Sequence, residues 1–202
     1  MRIHSDRTIG VLALLIPVVI AWTGFGRNLT LQPESRLWIE GSSTVRSFEC
    51  KAEAFEATVA TTDQAAVSAV LSAQKAVSSV ELTVPAEQLE CGNGTMNDHM
   101  RKALKAKDHP TITFRVSSYA LATATAGAGV QGTLQGELTL GGVTKPITVE
   151  AVANDGGDGT LLVTGQHLIR MKEFGLKPPT LMLGTLRVDE KVNVRFELYL
   201  RN

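Results

Sequence analysis

The stretch that decides the fold is GTLQGELTLGGVTKPITVE, residues 132–150. In its first half, polar residues alternate with a small or apolar set: Gly132, Leu134, Gly136, Leu138 and Leu140. This period of two predicts a strand with one buried and one solvated face. A two-residue hairpin signal follows at Gly141-Gly142, and the alternation resumes with Ile147 and Val149. The stretch therefore predicts an antiparallel β-hairpin whose strands bury the same face.

The same period of two recurs along most of the chain. At the C-terminus the inward positions are Val192, Val194, Phe196, Leu198 and Leu200. Further inward sets are Val80, Leu82 and Val84; Ile112, Phe114 and Val116; and Leu161, Val163, Gly165, His167, Ile169 and Met171. Shorter strands are predicted at residues 37–40 and 45–50. The Ala-rich stretch 57–74 fits either a strand or a helix, and the low-complexity residues 120–130 predict a loop.

One helix is predicted, over residues 95–106. Thr95 and Asp98 have the spacing of a capping box, and Met96, Met100 and Leu104 share one helical face before Pro110. The predicted fold is all-β, an antiparallel up-and-down barrel of about eight strands with this one short α-helix, because closure removes exposed edges. A barrel of that size holds side chains alone or one small ligand. Its inward glycines either permit bends or leave room for an apolar ligand.

The first 26 residues resemble an export signal. Arg2 and Arg7 precede an apolar run over residues 9–22. This run is shorter than the roughly 20 residues of a membrane span, which favours a cleaved signal, with cleavage expected after Gly26. An uncleaved N-terminal anchor is the alternative, and it would be the only membrane contact. Both place the domain, assigned to residues 36–201, outside the cytosol, in the periplasm or secreted.

The two cysteines fit an oxidising compartment. An exported domain with two cysteines usually pairs them, so Cys50 and Cys91 are expected to form a disulfide, with free buried thiols as the alternative. Two cysteines are too few for a structural zinc site, and His99, the only histidine near Cys91, is expected on a helix face. The sequence therefore predicts no metal and no cofactor.

Composition and motifs exclude other functions. Lys+Arg and Asp+Glu are both 20, and no basic stripe stands out, which argues against a nucleic-acid partner. No G-x-S-x-G or H-E-x-x-H motif occurs, so no enzyme is predicted. By parity, that is, by its place in the alternation of inward and outward residues, His167 faces inward. It is either a hydrogen-bonded core residue or a ligand contact. A cationic cluster around residues 170–177 is either a solvated loop or a site for a phosphate head group.

Three motifs together resemble the YceI-like family. They are KDHPTITF at residues 107–114, LTLGGVTKPI at 138–147 and FGL at 174–176, in the family's order. The resemblance covers residues 37–200 and implies an exported, lipocalin-like barrel whose interior takes a long isoprenoid or similar lipid tail. The His–Ser pair that family members usually carry in the first hairpin is absent, since Gly41-Ser42-Ser43-Thr44 stands there.

Inward apolar positions are the candidates for ligand contact, although each could equally be plain barrel core. They are Ile112, Phe114, Leu134, Gly136, Leu138, Val163, Ile169, Phe174, Leu176 and Phe196. The predicted function is binding of a long apolar, isoprenoid-type lipid, as a carrier or storage protein of the envelope. The alternative is a solidly packed structural or stress-response envelope protein that acts through a partner surface. No feature of the sequence indicates the oligomeric state.

Overall fold

A computed structural model of the chain describes residues 27–123, 129–181 and 185–202. Within these ranges the strands are β1 Arg27–Leu31, β2 Arg36–Ser42, β3 Ser47–Ala52, β4 Glu56–Thr61, β5 Val77–Pro85, β6 Leu89–Glu90, β7 Thr111–Thr123, β8 Val130–Leu140, β9 Val143–Asp155, β10 Thr160–Arg170, β11 Thr180–Leu181, β12 Leu186–Arg187 and β13 Lys191–Arg201. The α-helices are α1 Ala66–Leu71 and α2 Gly94–Ala103, and short 3₁₀ turns lie at Ala86–Gln88 and Met171–Phe174.

The strands form a closed antiparallel barrel. Eight strands follow one another around the ring in the order β1-β4-β5-β7-β8-β9-β10-β13. Pairing of Thr30 with Arg201 and of Leu31 with Leu200 joins β1 to β13 and closes the ring. Strands β2, β3 and β6 continue the sheet from β13. The predicted all-β barrel is therefore confirmed, and its ring includes β1, which precedes Arg36.

The hairpin predicted at residues 132–150 is confirmed as β8–β9. Its turn residues Gly141 and Gly142 have φ values of +56° and +82°, which favour glycine. The turn is also crowded, because a Cβ on Gly142 would lie 2.5 Å from the His109 ring, and one on Gly141 would lie 2.5 Å from Leu176 Cδ2. The three motifs that resemble the YceI-like family thus meet at this one turn.

The barrel core consists of two hydrophobic clusters. One lies at the end of the barrel where β7 begins and β8 ends, and it includes Leu138, Ile169 and Leu176. The other lies at the opposite end and includes Leu29, Val130 and Leu161. The Ala-rich stretch 57–74 forms part of β4 and then α1, whose residues Ala66, Val67 and Val70 are buried in the second cluster. The structure thus has a second helix beyond the one that the sequence predicts.

Helix α2 confirms the predicted helix but begins one residue earlier. Asn93, rather than Thr95, caps it, because the Asn93 side chain accepts a hydrogen bond of 2.9 Å from the Met96 backbone N–H. Just before the helix, Cys91 forms the predicted disulfide with Cys50. The side chain of Asn97 accepts a hydrogen bond of 2.7 Å from the Cys91 backbone N–H, which fixes this segment against α2.

The predicted loop over residues 120–130 is wrong at its start. Strand β7 continues to Thr123, and its last residues pair with the first residues of β8, from Ala120 with Thr133 to Thr123 with Val130. Small side chains do not prevent this pairing, because the ladder is formed by backbone groups. Residues 124–128 of the predicted loop lie outside the described residues. Across the described ranges, no helix combines the length and the apolar character that a membrane span requires.

Candidate functional site

An apolar cavity of about 410 Å³ occupies the barrel interior. Residues of both hydrophobic clusters line it, from Leu29 and Leu161 at one end to Leu138 and Leu176 at the other. Its volume falls within the range of about 300–1,000 Å³ that is typical of small-molecule sites. The inward positions predicted by parity on β8, β10 and β13 supply much of this lining, so the barrel is hollow.

One end of the cavity is blind. Helix α1 lies over it, with Val70 reaching the lining next to the buried residues Leu29, Val59 and Val130. This half also has small lining residues, namely Gly132, Ala151 and Ala153. Small side chains on the inward face leave volume that Leu or Phe would fill.

The other end opens at a rim made by three segments. These are the β2–β3 turn at residues 43–46 with Phe48 of β3, helix α2 with Met96, His99 and Met100, and the β11–β12 segment with Pro179, Leu186 and Val188. Val45 at the tip of the turn is 70% exposed. We call this opening the mouth, because here the cavity lining meets solvent.

Hydrogen bonds hold the mouth in shape. The Thr44 backbone N–H donates to the Arg187 carbonyl (3.0 Å), and the Thr44 hydroxyl donates to the Thr185 carbonyl (2.8 Å). The β2–β3 turn is thereby joined to the β11–β12 segment. The Cys50–Cys91 disulfide links β3 to the residues that lead into α2. All three segments of the mouth are therefore connected to the barrel wall by specific bonds.

Eight of the ten predicted ligand residues line the cavity: Ile112, Phe114, Leu134, Leu138, Val163, Ile169, Leu176 and Phe196. Gly136 and Phe174 are not among the lining residues. Gly136 is buried beneath the Phe114 ring, and a Cβ there would lie 2.3 Å from the Arg115 carbonyl oxygen. Phe174 is buried in the first hydrophobic cluster, below the cavity wall.

Comparison with known proteins agrees with this geometry. The family model of the YceI-like domain matches residues 37–200. The chain belongs to the YceI-like family. A search of curated proteins finds no match.

Solved structures share the YceI-like fold of this chain. BcnA from Burkholderia cenocepacia is 24% identical, with a TM-score of 0.63 over 82% of this chain and 95% of that chain. A polyisoprenoid binding domain from Saccharophagus degradans is 14% identical, with a TM-score of 0.59 over 86% and 97%. The YceI protein of Campylobacter jejuni is 18% identical, with a TM-score of 0.53 over 97% and 92%. At these identities the likeness shows the fold alone.

His167 places a polar group inside this YceI-like cavity, as parity predicts. Burial lowers the pKa of its imidazole, and a hydrogen bond with the Thr148 backbone opposes that shift. The β9–β10 pairing ends at Glu150 and Gln166, which leaves the Thr148 backbone outside that ladder. Because the lowered pKa favours the neutral form, His167 is suited to accept or donate a hydrogen bond within the cavity.

The cationic cluster expected near residues 170–177 does not meet the cavity. Arg170 lies 3.7 Å from the Glu173 carboxylate, and Lys172 pairs with Glu190. Neither cation is among the lining residues. These ion pairs favour the solvated-loop interpretation of the cluster over a head-group site.

The sequence did not predict which residues form the mouth of the cavity. At the position of the family's usual His–Ser pair, Ser43 closes the β2–β3 turn, since its hydroxyl oxygen accepts the Arg46 backbone N–H (3.1 Å). Arg46 and His99 both line the cavity, although they are far apart in sequence. Within the described ranges, no group of three or more His, Cys, Asp or Glu side chains could hold a metal ion.

Proposed function

We propose that this chain binds a long apolar lipid of the isoprenoid type inside its barrel, as a carrier or storage protein of the cell envelope. The observation that supports this most directly is the hollow apolar interior, closed by α1 at one end and open at the mouth. Burying an alkyl or prenyl tail is favourable by about 25 cal/mol per Å² of apolar surface, without directional contacts. The proposal is a binding function without catalysis.

The shape of the cavity supports one direction for the ligand. The tail would enter first and contact the eight lining residues predicted from the sequence. Its tip would reach the small residues Gly132, Ala151 and Ala153 below α1, and its polar end would remain at the mouth. A polyisoprenoid binding domain from Saccharophagus degradans has the same fold, which supports a ligand of this class.

Extraction of the native protein tests this proposal. Protein purified from its own host under mild conditions is extracted with organic solvent, and the extract is analysed by mass spectrometry. We expect about one lipid per chain, and an unrelated envelope protein of similar size, extracted in parallel, should yield none. A clean extract from natively expressed protein would contradict lipid binding and favour the solidly packed structural or stress-response protein.

We also propose that residues 1–26 direct export to the periplasm or beyond and are then removed. The described strands all lie between Arg27 and Arg201, so cleavage after Gly26 would retain them. Intact-mass measurement of the exported protein is expected to show the loss of roughly the first 22–27 residues, in keeping with the position of a signal peptide. Full-length protein that stays in the membrane would instead identify an anchor.

A further inference from the structure

Three side chains of helix α2 bring soft metal-binding atoms to the mouth. The helix contains the sequence MNDHM at residues 96–100, and Met96, His99 and Met100 all line the cavity. Each of the three is half-buried, so a solute can reach it from the mouth. Thioether sulfur and imidazole nitrogen are ligands that suit Cu(I), whereas Mg²⁺ and Ca²⁺ prefer carboxylate and carbonyl oxygens.

The spacing along the helix brings the three donors together. His99 and Met100 follow Met96 by three and four residues, and on an α-helix such residues are neighbours, with Cβ atoms about 5–6 Å apart. Met96 lies between the other two on the helix surface, and the three span an arc of about 100°. A methionine side chain has three rotatable bonds, so its sulfur can turn toward a shared ion while the backbone stays in place.

The part of α2 that carries these donors is held firmly. The buried side chain of Asn97 donates a hydrogen bond to the Glu90 carboxylate and accepts one of 2.7 Å from the Cys91 backbone N–H. The Sδ atom of Met100 lies 3.4 Å from Cys91 Sγ, which is bonded to Cys50. A rigid support of this kind lowers the entropy that the ligands lose when they bind an ion.

One cation already lies beside the three donors. The Arg46 Nη2 atom is 3.9 Å from Met96 Sδ, and the Arg46 side chain is exposed. Because a thioether is only a weak acceptor, an incoming metal ion can displace the guanidinium toward solvent. The guanidinium would still repel the ion, and this repulsion doubles for a divalent ion. Arg46 therefore favours a monovalent ion at Met96.

We propose that Met96, His99 and Met100 form a binding site for one Cu(I) ion at the mouth of the barrel. Two thioethers and a neutral imidazole add no charge, so the bound ion keeps its single positive charge. The soft sulfur donors and the nearby guanidinium both favour Cu(I) over Zn(II). All three donors belong to α2, and the site does not rest on the proposed function.

Competition for Cu(I) tests this site. Lipid-stripped protein is titrated, without oxygen and with ascorbate present, against the coloured Cu(I) complex of bicinchoninate. We expect the wild type to remove about one Cu(I) per chain, and excess Zn(II) should not displace it. Met96→Leu and Met100→Leu keep the side-chain volume, and His99→Gln keeps a polar side chain. Each is expected to weaken binding at least about tenfold, since even the loss of a residue that supports a metal ligand costs about 10–100-fold.

Arg46→Gln is expected to act in the opposite direction. Removal of the neighbouring charge should strengthen Cu(I) binding by about two- to fivefold, and added salt should reduce the difference between this variant and the wild type. A merely structural role of Arg46 in the turn would not produce this gain. A loss of Cu(I) affinity in Arg46→Gln would contradict a metal ion at Met96.

Met171→Leu is the matched control. Met171 also lines the cavity, but it belongs to the 3₁₀ turn Met171–Phe174 and is buried in the first hydrophobic cluster, so the variant should keep the wild-type affinity. In NMR spectra, Ag(I), which replaces Cu(I) without redox chemistry, should shift the methyl signals of Met96 and Met100 and leave that of Met171 in place.

Three results would overturn the Cu(I) site. They are a wild type that cannot compete with bicinchoninate, an equal loss of affinity in Met171→Leu, and displacement of the bound ion by excess Zn(II). Extraction of lipid from the native protein does not depend on any of these measurements, so failure of the Cu(I) site and failure of the proposed function are distinguishable.

Discussion

Replacing Cys50 and Cys91 together with alanine is expected to lower the free energy of unfolding by about 4 kcal/mol. The disulfide joins residues 41 positions apart, and a cross-link over a loop of that length restricts the unfolded chain by about this amount in the chain-entropy model. For a domain of this size the loss corresponds to a fall in Tm of roughly 10 °C. Thermal and urea unfolding of the ligand-stripped protein measure both quantities.

The reduced wild-type protein is the matched control for this variant. Cys50 and Cys91 are 1% and 8% exposed, so alanine also removes packed sulfur atoms, whereas reduction breaks only the bond. We expect reduced wild type to lose most of the stability that the double variant loses. Lipid uptake should fall in both, because the bond connects two segments of the mouth. An unchanged Tm after complete reduction would show that the disulfide does not limit unfolding.

The sequence predicts most strands of this barrel, because each strand buries one face. Strict alternation over residues 192–200 and 132–140 predicts strands that the structure confirms as parts of β13 and β8. The sequence also predicts the turn between β8 and β9, because the Gly141-Gly142 pair permits the positive φ values that this turn has. Parity also assigns His167 correctly to the interior. These signals are local, and each one is complete within about ten residues.

Parity alone does not distinguish Gly132 from Gly136. Both lie on the inward face of β8, but the neighbouring strand β7 shifts register between Val116 and Ser118, beside Gly136. The Arg115 carbonyl and the Phe114 ring also approach Gly136 closely, and of the two glycines Gly132 alone lines the cavity. A β-bulge is set by how two strands pair, and the alternation within one strand does not reveal it.

The sequence also did not predict the closed end of the cavity or its mouth. Helix α1 has only six residues and no side-chain cap, so the usual signals for a helix start are absent. Arg46 and His99 come from separate segments, and their common position depends on how the β2–β3 turn meets α2. The ion pair of Lys172 was not predicted either, because its partner Glu190 follows the β11–β12 segment in sequence.

Gly132→Phe is expected to block the blind half of the cavity and reduce uptake of a long isoprenoid probe at least about tenfold. A Cβ on Gly132 would lie 3.6 Å from Leu121 Cδ2 and 3.7 Å from the Ala151 carbonyl, which are ordinary contacts, and the ring can extend into open volume. The Tm of stripped protein should stay the same or rise. Short-tailed probes should lose less affinity than long ones, because the half nearest the mouth remains open.

Gly136→Phe is the matched variant, since the same ring is added on the same face of the same strand. There the Cβ would lie 2.3 Å from the Arg115 carbonyl oxygen, so the backbone of β7 must move. Such overpacking costs about 1–3 kcal/mol or more, and we expect a clear fall in Tm. The contrast between the two glycines distinguishes a hollow barrel from a solid one. If Gly132→Phe lowers the Tm of stripped protein as much as Gly136→Phe does, the interior is filled by its own side chains in solution, and lipid binding in the barrel must be abandoned.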